Sequence, residues 1–187
     1  TVTIFILGLI VFFGAHLFTP LMRGVREGLV KRLGPGGYRG LYSLVSAIGL
    51  TLIIVGWPHA DRTVLYVAPY WVVYVAYGLT LIALILLAAA YLPKGKIAAV
   101  AIHPMLAGVK VWALAQLLVN GDVRSVLLFG SFLVYGAIDR IMVMRRGAPT
   151  AAAGPVHNDI LVILVGAAVW AAIYLWAHRY IAGVDLR

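Results

Sequence analysis

Cysteine is absent from the 187 residues. That excludes disulfides, thiolate metal ligands, a cysteine nucleophile and covalent haem attachment through a Cys-x-x-Cys-His motif. Acidic residues are scarce: six Asp and Glu stand against 15 Lys and Arg, and charged residues make up 11% of the chain. No paired-carboxylate motif, Gly-rich phosphate loop or Ser/His/Asp arrangement is visible. No polar stretch is long enough for a separate soluble domain.

What is there is apolar. The chain is 64% hydrophobic, with a mean hydropathy of +1.02, whereas a soluble domain is about half apolar. Long apolar runs recur along its whole length. The sequence therefore predicts an all-α, polytopic integral membrane bundle of about six transmembrane helices, forming a single domain over residues 1–187 with the lipid bilayer as its surroundings. The formal net charge of +9 follows from basic residues in short loops, where the positive-inside rule puts them. No basic domain of a nucleic-acid-binding kind is present, so nucleic acid is not expected as a partner.

A helix needs about 20 apolar residues to cross the hydrocarbon. The spans run from about Val2 to Met22, Tyr38 to Trp57, Ala68 to Leu92, His103 to Val119, Ser125 to Met144 and Asp159 to His178. Val2–Leu21 lacks a basic leader and a small-residue cleavage site, so it reads as a retained span. The segment from Arg23 to Gly37 reads as a basic, glycine-rich loop, Asn120-Gly121-Asp122 as a tight turn and Thr150–Pro155 as a small-residue linker. Arg23, Arg26, Lys31, Arg32, Arg39, Lys94, Lys96, Arg140, Arg145 and Arg146 fall on one side of the alternation. Arg62, Arg124, Arg179 and Arg187 fall on the other. The first side is thus expected to be cytoplasmic and both termini non-cytoplasmic.

Ionisable groups inside hydrocarbon are costly and mark candidate sites. His16 lies on the first span and His103 at the start of the fourth, both expected in the cytoplasmic half of the bilayer. Two such histidines could coordinate one metal or sandwich one haem through neutral imidazole nitrogens. The alternative is that each hydrogen-bonds a neighbouring helix. Haem propionates want cations near the surface. His16, Thr19 and Arg23 are spaced to share a face of the first helix. Arg39, Tyr42, Ser43 and Ser46 form a polar stripe on the second. Arg23, Arg26 and Arg39 are candidate propionate partners, with the positive-inside rule as the alternative for each; Ser46 belongs to the same polar stripe. Lys110 shares the face of His103 about 10 Å deeper, placed to hold a polar group or to snorkel. Gln116 and Asn120 read as helix-to-helix glue. His59, His157 and His178 read as interfacial, with a second outer site at His59 and His178 as a minor alternative. Asp139-Arg140 reads as a surface pair.

The segments Phe13-Gly14-Ala15-His16-Leu17-Phe18, Gly37-Tyr38-Arg39-Gly40-Leu41-Tyr42-Ser43 and His103-Pro104-Met105-Leu106, followed by Trp112-Ala113-Leu114-Ala115 and Leu118-Val119-Asn120-Gly121-Asp122, resemble the NnrU-like membrane proteins. The resemblance covers essentially the whole chain. That family is associated with denitrification gene clusters and is similar to the 15-cis-zeta-carotene isomerases, membrane enzymes that use haem b with histidine ligands. The resemblance implies a bacterial inner (cytoplasmic) membrane location. It implies haem b, with His16 and His103 at the family's histidine positions and Arg39 in its Tyr-Arg-Gly pattern. It further implies either redox-gated isomerisation of an apolar polyene, a denitrification-associated redox role, or a non-enzymatic part as membrane protein partner in maturing a nitrite or nitric oxide reductase. One departure stands out. Many relatives carry a third histidine in the Ala-x-Leu-Leu segment, where this chain has Gln116.

Overall fold

The computed structural model describes residues 2–147, 152–177 and 180. Its helices are α1 (Val2–Leu21), α2 (Arg23–Gly56), α3 (Val72–Tyr91), α4 (Lys96–Ala101), α5 (Pro104–Val119), α6 (Val123–Arg145) and α7 (Val156–Ala172). A 3-10 turn, Trp57–His59, follows α2, and a π-helical turn, Ile173–Ala177, follows α7. Among the described residues no strand forms, and the β-pairing is a single bridge between Val64 and Asp122. The all-α membrane architecture expected from the sequence is the one observed.

Five helical segments are long and apolar enough to cross a bilayer: Val2–Leu21, Arg23–His59, Val72–Tyr91, Val123–Arg145 and Val156–Ala177. The expected fourth span is the exception. Its helix, α5, has 16 residues, short of the usual requirement of about 20. The approach to it is a separate six-residue helix, α4. The loop expected at residues 23–37 is also different: residues 23–33 are helical. Val25, Leu29 and Leu33 recur every four residues there, which gives this basic segment an apolar stripe of helical period. Gly34 then breaks α2 at φ 73 and ψ 163, a conformation essentially reserved for glycine. Pro35 starts the second half, where its missing N–H costs nothing. Of the Thr150–Pro155 linker, residues 150 and 151 lie outside the described residues, as do His178, Arg179 and Arg187.

The chain divides into two compact units, Thr1–Val67 with Asn120–Ala148, and Ala68–Val119 with Pro149–Arg187. The first holds α1, α2 and α6. Helices α1 and α2 touch backbone to backbone. A Cβ on Gly8 would lie 2.6 Å from the Ile53 nitrogen, one on Gly49 2.6 Å from the Phe12 nitrogen, and one on Gly56 would overlap the Phe5 backbone. Small residues permit such approach, and close packing is what holds helices together where lipid is as apolar as the side chains. Phe5, Leu9, Phe13, Ile53 and Ala60 form the buried core, joined by Leu128, Phe132 and Tyr135 from α6.

At one end of this unit Asp122 caps α6, accepting from the Ser125 backbone N–H at 3.1 Å and its hydroxyl at 2.8 Å. That is the usual reward for an aspartate just before a helix. Arg124 sits 4.3 Å over the Trp57 ring, donates to the Trp57 carbonyl at 3.1 Å and lies 3.3 Å from Asp122. The Gly121 carbonyl accepts from Leu65 and Tyr66, so the Asn-Gly-Asp segment, expected as a tight turn, instead pairs with the 64–66 segment beside the Val64–Asp122 bridge.

The second unit holds α3, α4, α5 and α7. Its interfaces are alanine-rich: Ala83, Ala89, Ala98, Ala113 and Ala115 are fully buried. Gly108 meets Ala83 and Leu87 on α3, and Gly166 meets Ile85. The indole N–H of Trp170 donates to the Tyr77 carbonyl at 3.2 Å. Asp159, 8% exposed, accepts from the backbone N–H groups of Lys96 and Ile97, both at 2.9 Å. Beside it, the Asn158 amide donates to the Lys94 carbonyl at 3.0 Å.

Candidate functional site

In the first unit the antiparallel pairing Phe5–Gly56, Gly8–Ile53 and Phe12–Gly49, carried one turn further, sets His16 beside Tyr42. The ring centroids are 5.5 Å apart. Phe12 stacks one turn back on α1 at 4.2 Å, and Tyr135 of α6 meets the imidazole edge-on at 5.6 Å. His16 Nδ1 donates to the Phe12 carbonyl oxygen at 2.7 Å. A carbonyl only accepts, so the proton sits on Nδ1. In the neutral ring the lone pair is then on Nε2, the posture of a metal-binding imidazole.

Beyond Tyr42 lies a cavity of about 290 Å³ lined by Gly14, Ala15, Phe18, Leu29, Tyr38, Leu41, Tyr42 and Val45. This places it at the low end of small-molecule pockets, which run to about 300–1,000 Å³. Tyr42 belongs to both the cavity wall and the His16 box. The Arg26 guanidinium lies 5.4 Å over the Tyr38 ring. Arg26 Nε, the Tyr38 hydroxyl and the Thr19 hydroxyl are buried and have no hydrogen-bond partner.

Of the other expected contacts in this unit, Arg39 is exposed and Ser46 is half-buried one turn from Tyr42. Arg23 does not extend the face of His16 and Thr19. Helix α1 ends at Leu21 after Pro20, and Met22 turns the chain at φ −112 and ψ 52, so Arg23 opens the next helix and is exposed.

His103 belongs to the second unit. Its backbone N–H donates to the Ala101 carbonyl at 2.6 Å, closing a three-residue turn centred on Ile102 at φ 61 and ψ −51. Among the described residues Ile102 is the one non-glycine with positive φ. A β-branched residue there is strained by about 1–3 kcal/mol, and such strain persists only where surrounding structure imposes it. Here α4 is fixed at its start by Asp159, and α5 begins at Pro104. His103 therefore stands in a break between helices and not inside one. Its Nε2 is buried with no partner. Lys110 is half-buried on α5.

His59 and His157 are exposed, and His178 lies outside the described residues. Asp139 and Arg140 are half-buried but do not form the expected ion pair; among the described residues the one ion pair is Arg124–Asp122. Sequence reasoning missed three contributors: Tyr135 as a wall of the His16 box, Asp159 as the anchor of α4, and Ile102 as a strained hinge before His103. An aspartate at an apolar helix start was a readable signal. The other two depend on contacts that no local pattern carries.

Among the described residues no three His, Asp or Glu side chains gather to hold a metal ion. The apolar helices and their polar interior sites define a polytopic helical membrane protein. The chain belongs to the NnrU protein family, whose model matches residues 4–186. Neither the curated proteins nor the solved structures include a match to this chain.

Proposed function

We propose that this NnrU-family protein is a membrane b-type haem protein of the bacterial inner membrane, with His16 in the first unit and His103 in the second each a candidate iron ligand through Nε2. The observation that carries this reading is the His103 Nε2, buried without a hydrogen-bond partner, together with the commitment of the His16 proton to Nδ1. A buried polar atom without a partner costs about 1–3 kcal/mol, and iron would remove that cost. Bound there, haem would supply a one-electron couple and a Lewis-acidic iron.

The chain's own residues orient and enclose. The Phe12 carbonyl holds the His16 ring in one tautomer. Phe12, Tyr42 and Tyr135 exclude water around it. The turn at Ile102 holds His103 out of helical register. A polyene isomerisation is the reaction that the resemblance favours.

The test is a reduced-minus-oxidised visible spectrum of the purified protein beside His16→Ala and His103→Ala. Sharp b-type bands, altered in both variants, are the expected result. Bands unchanged in both variants would assign other ligands. A colourless protein from haem-replete cells would sink the reading and leave a cofactor-free role as partner to a reductase.

A further inference from the structure

We propose that the cavity beside Tyr42 is a binding site for a lipid with an anionic phosphate headgroup, one acyl chain lying in the cavity and the phosphate held by Arg26 and Tyr38. The inference does not depend on haem. Its body is apolar: Gly14, Ala15, Phe18, Leu41 and Val45 face it, and a Cβ on Gly14 would meet nothing within 4 Å. Empty apolar space forfeits dispersion contacts, and in a bilayer the abundant molecule to fill it is an acyl chain.

One lining residue, Tyr38, brings polar groups up to this apolar site. Tyr38 lines it and is 8% exposed, yet its hydroxyl has no hydrogen-bond partner. Arg26 stacks on the same ring and has a buried Nε with no partner. The Thr19 hydroxyl, next in the chain to the lining residue Phe18, is a third. Buried donors are nearly always satisfied. A guanidinium stacked on a phenol, each with an unpartnered donor, calls for an anionic acceptor, and phosphate oxygens pair with arginine in charge-assisted bonds. The basic residues Arg23, Lys31 and Arg32 nearby on α2 add to the attraction for an anionic headgroup.

The test is the thermal-unfolding midpoint of the full chain in neutral detergent, titrated with lysophosphatidylglycerol. The controls are a monoacylglycerol of the same chain, which lacks phosphate, and glycerol phosphate, which lacks the chain. A saturable rise with lysophosphatidylglycerol alone is expected. Arg26→Gln and Tyr38→Phe should each weaken it by about tenfold, the worth of one charge-assisted bond. Gly14→Leu should fill the cavity and abolish the response, with the unliganded midpoint held or raised by the better helix former. Equal responses to lysophosphatidylglycerol and monoacylglycerol would overturn the headgroup assignment. Unchanged binding in Gly14→Leu would overturn the cavity assignment. Loss of haem bands in Gly14→Leu and Arg26→Gln, without any lipid response, would give the site to haem propionates instead.

Discussion

The Asp159 carboxylate and the Lys96 backbone N–H meet at 2.9 Å across 63 residues of sequence. With Ile97 donating to the other carboxylate oxygen, one side chain satisfies two of the free N–H groups at the start of α4. Asp159→Ala is expected to cost about 1–3 kcal/mol, because both donors are then left without an acceptor in a half-buried setting. Gly95→Ala should come close to this, since its Cβ would overlap the carboxylate. Asp159→Asn, which keeps one acceptor, should lose less. Thermal midpoints of the three variants check the order; a wild-type midpoint for Asp159→Ala would show that the cap is not needed.

The glycines of the first unit should divide sharply. Gly49→Ala would push a methyl group into the Phe12 backbone and is expected to destabilise by about 1–3 kcal/mol through overpacking. Gly14→Ala meets open space and should stabilise its helix by about 0.5–1 kcal/mol. Detergent-melt curves for the pair make the comparison. Equal effects would mean that α1 and α2 do not touch at this seam.

Asp61 gives a pH dependence whose sign can be worked out. The Thr63 hydroxyl at 2.7 Å and its backbone N–H at 2.8 Å both donate to the carboxylate and hold its pKa below the usual range. The charged form is favoured in the folded protein. The stabilisation is therefore present above the ordinary carboxylate value of about 3.9 and is lost as pH falls through the lowered folded value. Removing the hydroxyl, the larger cause, with Thr63→Val should bring the Asp61 titration back toward the ordinary value. NMR titration of the Asp61 carboxyl reads this directly, and an unshifted curve in the variant would refute it.

Five of the six expected spans were readable because an uninterrupted apolar run of the right length has few other fates. The fourth shows where that reasoning stops. Residues 96–119 are apolar almost throughout, yet Ile102 interrupts them at positive φ, and nothing in Ala-Ile-His-Pro announces such a turn except the proline after it. The helix at residues 23–33 was hidden for the opposite reason: its charges and glycines look like loop, while the period of Val25, Leu29 and Leu33 is helical. Among site residues, His16 and His103 stood out because a histidine in an apolar run is conspicuous. Tyr42 was legible only as part of a polar stripe, and Tyr135 and Phe12, which complete the His16 box, were not, since aromatic residues in a membrane span are ordinary. The packing that selects them is long-range.

The order of the chain leaves its mark on the His16 box. Helices α1 and α2 are made one after the other, and their glycine seam needs only themselves. Tyr135 arrives on α6, after α3, α4 and α5 have been synthesised, a delay on the order of several seconds at the usual pace of translation. For that interval the imidazole stands on a newborn two-helix hairpin with one wall unbuilt. The box is finished by a late arrival, so its third wall is in place only once α6 has been made.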